Sequence, residues 1–455
     1  MRRMTGFLLA YVFLALVSVF VSPPKIVAVF STVALIGVVV SSRTGFLYIL
    51  LAGAAFEWSL RTGEYNSILY HSIYSSVLLL AFAVIYFRDG HFSHPPREIL
   101  VPFLLTVGWM AFGVPLSEDF GVSMTALIFF ILAALEYFVA YHIIDSRKAL
   151  RKALIIQLAV SLVFVIYGLS IYYMHGLSRF TLEAFNPNVI GVYVFAACAV
   201  ALFGITYFKS RILKLLGFIQ LSGLVYCLYL TYSRGSLLTF FIFAAVFLWL
   251  AGRKKIVFAA VGAMAVIGMI VFSLEHVSTL IHKFSLALRL GSGLTARDVL
   301  WQSALGIVLD HPVFGIGFGA IKTVFAETVR MTDPRIALYL HTPVMAGNVH
   351  NGFLDIAAQF GLPGLALALW TSVVGLRYVL RIRRNRRDNE TRQLTAFLLA
   401  AFVAFLVRGF FESYIPLGFF VIDALLGFFV AGALHVLVRA EKETSAVPVE
   451  VTDKA

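Results

Sequence analysis

Between Ala346 and Leu365 the chain reads AGNVHNGFLDIAAQFGLPGL, which sets His350-Asn351-Gly352 directly before an apolar helical run. A neutral imidazole can take a proton from a hydroxyl, so His350 is a candidate general base. The alternative is an interfacial or helix-capping histidine. Asn351 adds a second hydrogen-bonding group beside it. Asp355, one turn further on, shares the face of Asn351 rather than that of His350. Arg234 stands in LTYSRGSLL, between two apolar runs. It reads either as a snorkelling side chain or as an anion site. In the second reading the next helix aims its N-terminal amides outward, Gly235 and Ser236 let the backbone approach a ligand, and a diphosphate fits. Arg297, in GSGLTARDVLW, either pairs with Asp298, caps a turn, or brings a second cation to the same anion. Arg289 lies on the same Gly-rich approach and is a further candidate. Asn188, in the triplet Asn186-Pro187-Asn188, is a helix cap or a ligand for sugar hydroxyls.

Other polar residues point elsewhere. Arg408 and Glu412 are four apart near the end of an apolar run and are expected to pair with each other, because an isolated charge there is expensive. Glu57, Glu136 and Asp423 are lone acids inside apolar runs and acquire no role. The turn Gly315-Ile316-Gly317-Phe318-Gly319 is no nucleotide loop, since no Lys-Ser/Thr follows it. Cys198 and Cys227 both fall inside apolar runs and suggest neither a disulfide nor a metal site.

The elements that must position these groups are membrane helices. The 455 residues are 61% hydrophobic and only 13% charged, and the apolar residues gather in runs of about 17–25, the length that crosses a bilayer as a helix. The runs are continuous rather than alternating, which excludes a barrel. Spans are expected over 6–22, 25–41, 44–60, 67–87, 97–115, 121–145, 150–174, 188–208, 211–231, 235–251, 254–273, 363–380, 393–411 and 415–438. About twelve to fourteen cross, because two of the early runs are short. Residues 1–22 read as an uncleaved first helix, since the next apolar run follows at once. With the N-terminus in the cytoplasm, most of the 36 Lys and Arg fall on that side, including the run Arg381–Arg387. This orientation puts both termini in the cytoplasm and makes the basic run an anchor beside anionic lipid heads. The net charge of +13 is thus a topology signal and not a nucleic-acid footprint. The expected organisation is a bundle over 1–273, one large outer loop with short helices over 274–362, further spans over 363–438, and a disordered cytoplasmic tail over 439–455. Within the loop, a helix is expected from about Val299 to Leu309. A second, over about 350–360, should end at Gly361, with Pro363 opening the next span.

Four stretches in this order, NPNVIGVYVF, TYSRGSLL, TARDVLWQSALGIVLDHPVFGIGFG and HNGFLDIAAQFGLPGL, resemble the O-antigen ligase and polymerase superfamily of bacterial surface-glycan enzymes. The resemblance runs from about Asn186 to Leu365. It implies an all-α polytopic membrane protein of the inner membrane, a GT-C-like glycosyltransferase with one large periplasmic helical loop. It also implies no cofactor, no metal and an inverting transfer. The donor would be a glycan on undecaprenyl diphosphate and the acceptor the lipid A-core; a polymerase would use a second lipid-linked glycan, and a related member protein. Arg234 and Arg297 would hold the diphosphate, and His350 would activate the acceptor hydroxyl. Besides membrane lipids these are the expected partners. One departure stands out: Gln359 occupies a position where the family often has Glu. Two other classes remain, a lipid-linked glycan flippase and a structural subunit of polysaccharide export. A transporter should carry polar groups at midplane between repeats, whereas here they gather at the outer surface.

Overall fold

The computed structural model describes residues 92–180, 187–258, 297–321, 324–325, 349–386, 388–413, 417, 419–420 and 424–445. Among these residues there is no strand. Ten helices carry the fold: α1 Arg97–Gly113, α2 Phe120–Ile143, α3 Arg147–Met174, α4 Pro187–Tyr207, α5 Arg211–Leu230, α6 Arg234–Leu250, α7 Arg297–Asp310, α8 Gly352–Asn385, α9 Asn389–Gly409 and α10 Ala424–Ser445. Seven described helices are long and apolar enough to cross a membrane, and α6 is a shorter apolar helix. Apolar surroundings leave no water for the backbone, so each run closes its own hydrogen bonds as a helix. The expected spans before residue 92 and most of 254–273 lie outside the described residues. Starts are set by short polar caps: Asp119, Ser146, Ser210 and Asp388 each accept from the amide three residues on.

Aromatic side chains fill the interior between α4, α6 and α9. Phe203 stacks on Phe397 at 4.4 Å, and Phe243 meets Phe195, Phe247 and Phe397. Helices α6 and α9 run antiparallel, and their two ends differ in chemistry. At one end Arg383 and Arg392 of the α8–α9 hairpin donate to the carbonyl of Leu250, the last residue of α6. The same end holds the pairs Arg147–Glu390 and Arg381–Glu98 and the Tyr378–Glu441 hydrogen bond. At the other end Arg408 of α9 donates to Ser236 in the first turn of α6.

That second end is shaped by a break in α8. Gly361 has φ +70 and ψ −179, a conformation open essentially to glycine. A Cβ there would fall 2.1 Å from the Val313 carbonyl oxygen. The backbone groups at the break find new partners. Trp109 donates to the Phe360 carbonyl at 2.9 Å, and the Leu362 amide donates to Pro312. The Gly315–Gly319 turn docks on the same break. Amides of Ile316 and Gly317 donate to the carbonyls of Ala358 and Gln359, and the Gly319 amide donates to Gln359 Oε1 at 2.5 Å. The helix expected to end at Gly361 does so, and a new one follows at once through Pro363. The last helix differs from expectation. As described it spans Ala424–Ser445 rather than 415–438. Residues 417, 419 and 420 stand outside any helix, and an Arg439–Glu443 pair four residues apart supports its extension past 438.

Candidate active site

His350 sits between the buried Val349 and the cap of α8. Its φ is +52, a left-handed conformation that costs a non-glycine residue roughly 1–2 kcal/mol. Two contacts hold it there. Its amide donates to Ser413 Oγ at 3.1 Å, and its Nδ1 meets Glu412 Oε2 at 3.0 Å. Both partners lie just past the C-terminus of α9, so the connection after α9 positions the imidazole. The side chains of His350 and Glu412 are only 17% and 15% exposed, which strengthens the contact.

The carboxyl of Glu412 is a meeting point of charge. Burial pushes its pKa up, but the hydrogen bond from His350 and the charges of His350, Arg408 and Arg297 pull it down further, so it ends below its ordinary 4.5. Arg297, the first residue of α7, is half-buried. Burial lowers its basicity, Glu412 offsets part of this, and the neighbouring positive charge of Arg234 adds to the lowering. Arg234, the first residue of α6, is exposed. His350 and Arg297 thus share the Glu412 carboxylate as a neighbour, and Arg234 lies on the other side of that link, close enough for its charge to be felt by Arg297. Two neighbouring guanidinium groups form a site that favours an anion.

Glu412 is the functional residue that sequence reasoning missed. The i, i+4 spacing assigns it to Arg408, yet α9 ends at Gly409. The amides of Phe411 and Glu412 both turn back to the Arg408 carbonyl. This turn carries the carboxylate toward His350, while the charge of Arg408 also acts on it. Arg408 itself is 2% exposed and donates to Ser236 Oγ, which also accepts from Ser233 Oγ at 3.0 Å. Ser236 is thus a buried support for Arg408 and not a ligand-facing group. Gly191 of α4 lies against it, and a Cβ there would meet Ser236 Oγ at 2.6 Å.

The remaining candidates divide. Asn351 caps α8, its Oδ1 accepting from the amides of Phe353 and Leu354 at 3.1 and 3.2 Å. Asp355 is buried in the first turn of the same helix, where a negative charge suits the dipole. Both therefore build the helix start beneath the site instead of lining it. Asn188 falls in the first turn of α4, but its side chain is outside the described residues, as is the whole of Arg289. Gln359 has a structural task, clamping the glycine turn through the Gly319 amide.

The family model described as O-Antigen ligase matches residues 219–369. The match takes in Arg234, Arg297, His350 and the Gly361 break, and three of the four stretches that carry the resemblance fall within it, while the first, NPNVIGVYVF, lies ahead of it. Among curated proteins the chain is similar to the Teichuronic acid biosynthesis protein TuaE of Bacillus subtilis (strain 168), 23% identical over 331 residues. That similarity covers 66% of this chain and 64% of the relative's length.

Proposed function

We propose that this protein is a multi-pass glycosyltransferase of the bacterial inner membrane that moves a glycan from undecaprenyl diphosphate to an acceptor hydroxyl at the periplasmic surface. The observation that carries the reading is the His350–Glu412 pair, with Arg297 neighbouring the same carboxylate and Arg234 neighbouring Arg297, at the end of the bundle opposite the arginine-rich one. Most Lys and Arg belong in the cytoplasm, so the site faces outward. The stretch 274–362, expected from the sequence to lie outside the membrane, contains Arg297 and His350.

The chemistry is a single displacement. The bond between the anomeric carbon and the diphosphate oxygen breaks as the acceptor oxygen attacks from the opposite side, inverting that carbon. Negative charge grows on the departing diphosphate, and in this reading Arg297 and Arg234 stabilise it. The acceptor proton passes to His350. With Nδ1–H donated to Glu412, Nε2 is the basic nitrogen, and the carboxylate stabilises the imidazolium that forms. Lipid A-core is the acceptor in the first reading. The similar protein's name speaks of teichuronic acid and not of lipid A, and in a second reading the acceptor is another lipid-linked glycan. Purified protein in detergent, given undecaprenyl-diphosphate glycan with either acceptor in separate reactions, should form product in one of them. A flippase needs a sealed bilayer, and product in neither reaction contradicts the proposal.

A further inference from the structure

At the arginine-rich end, far from His350, α10 carries His435, Arg439 and Lys442 at spacings of four and three. This spacing places them on one helix face. They line a cavity of about 210 Å³ together with Phe92, Ser93, His94 and Tyr141. The wall is built and not incidental. The His435 ring stacks on Tyr141 at 4.4 Å, with Nδ1 held by the Tyr141 carbonyl. Across the cavity Phe92 stacks on His142 at 4.9 Å, and the Ser93 amide donates to His142 Nδ1 at 2.9 Å, which fixes the segment before α1. Arg439 is oriented by Glu443 Oε1 at 3.1 Å and by the Asp145 carbonyl. Lys442 is exposed and makes no ion pair among the described residues. Apolar rings below and two cations at the mouth suit a group with a charged head and a greasy body.

We propose that the cavity between α2, α10 and the segment 92–96 binds a phosphate-bearing anion, with Arg439 and Lys442 as its cations. The source is either an anionic phospholipid headgroup or a soluble phosphate. The position at the end of membrane helices, beside the basic run at the end of α8, favours the lipid, because basic pockets between helices on the cytoplasmic side take anionic headgroups. The proposal is independent of the glycan-transfer reading and survives its failure.

Native mass spectrometry of the detergent-purified protein tests it, titrating phosphatidylglycerol, phosphatidylcholine and inorganic phosphate in separate arms. Wild type is expected to hold phosphatidylglycerol in preference to phosphatidylcholine. The double variant Arg439→Gln/Lys442→Gln should bind it roughly 30-fold more weakly. Lys442→Gln, an exposed change that leaves the fold intact, should weaken binding roughly fivefold on its own. Arg211→Gln, a cation at the same end but outside the cavity, should not weaken it. Phosphate binding that is sensitive to the same variants, without lipid binding, assigns the site to a soluble anion. Binding in neither arm, or equal binding by Lys442→Gln, Arg211→Gln and wild type, overturns the proposal.

Discussion

Replacing Glu412 by Gln isolates the charge of the carboxylate from its shape. The amide keeps an oxygen that can accept from His350 Nδ1 at the observed 3.0 Å, so the imidazole should hold its place. What disappears is the negative charge facing the imidazolium that forms as the acceptor loses its proton. A hydrogen bond to a charged group contributes about 1.5–3 kcal/mol, and both side chains here are mostly shielded from solvent. Expressed in the transition state, that range is a loss of about 10–150-fold in kcat, with Gln toward the lower end. Donor binding should move the other way. Glu412 offsets the mutual repulsion of Arg297 and Arg234, and without it the pair should attract a diphosphate at least as well. The assay is steady-state transfer with a defined undecaprenyl-diphosphate glycan, separating kcat from KM. A kcat fall with KM for the donor unchanged or lower is expected. A kcat within about twofold of wild type, or a raised donor KM with kcat intact, would refute the positioning role.

Four further outcomes follow from the same geometry. His350→Ala should reduce transfer about 10²–10⁴-fold, the usual share of a general base, while circular dichroism and the unfolding midpoint stay near wild type. The folded pKa of Glu412 lies below its ordinary 4.5, so its stabilising contribution is present above that value and is lost as pH falls through the lower one. The stability difference between wild type and Glu412→Gln should accordingly narrow below pH 4.5, as followed by thermal unfolding across pH. Gly361→Ala, with its Cβ driven against the Val313 carbonyl, should cost on the order of 1–3 kcal/mol in denaturant unfolding and lower activity by shifting the start of α8. Gln359→Ala should cost about 1 kcal/mol by leaving the part-buried Gly319 amide without its acceptor, whereas Gln359→Glu, which offers the same oxygen, should be tolerated in the same unfolding measurement.

Much of this molecule is legible from local sequence. Helices in an apolar phase follow from run length, and the break at Gly361 follows from Gly and Pro two residues apart. The grouping of His350 with Arg297 and Arg234 was legible only through motifs found together, since no periodicity links residues 63 and 116 positions apart. Glu412 escaped because the i, i+4 rule holds only while a helix continues, and α9 stops three residues before it. Its contact with His350 spans 62 residues, and no local pattern encodes that. Asn351 and Asp355 look equally suited to a ligand and to a helix start, and burial alone separates the two. Gln359 is similar: its partner is the amide of a glycine 40 residues earlier.

The most direct test is a single-turnover reaction in detergent micelles, following the lipid and sugar halves of a doubly labelled undecaprenyl-diphosphate glycan with its acceptor. One undecaprenyl diphosphate should be released for each glycan joined, with the new linkage inverted, and both signals should vanish together in His350→Ala. Release without joining, a retained anomeric configuration, or undiminished joining by His350→Ala contradicts the account.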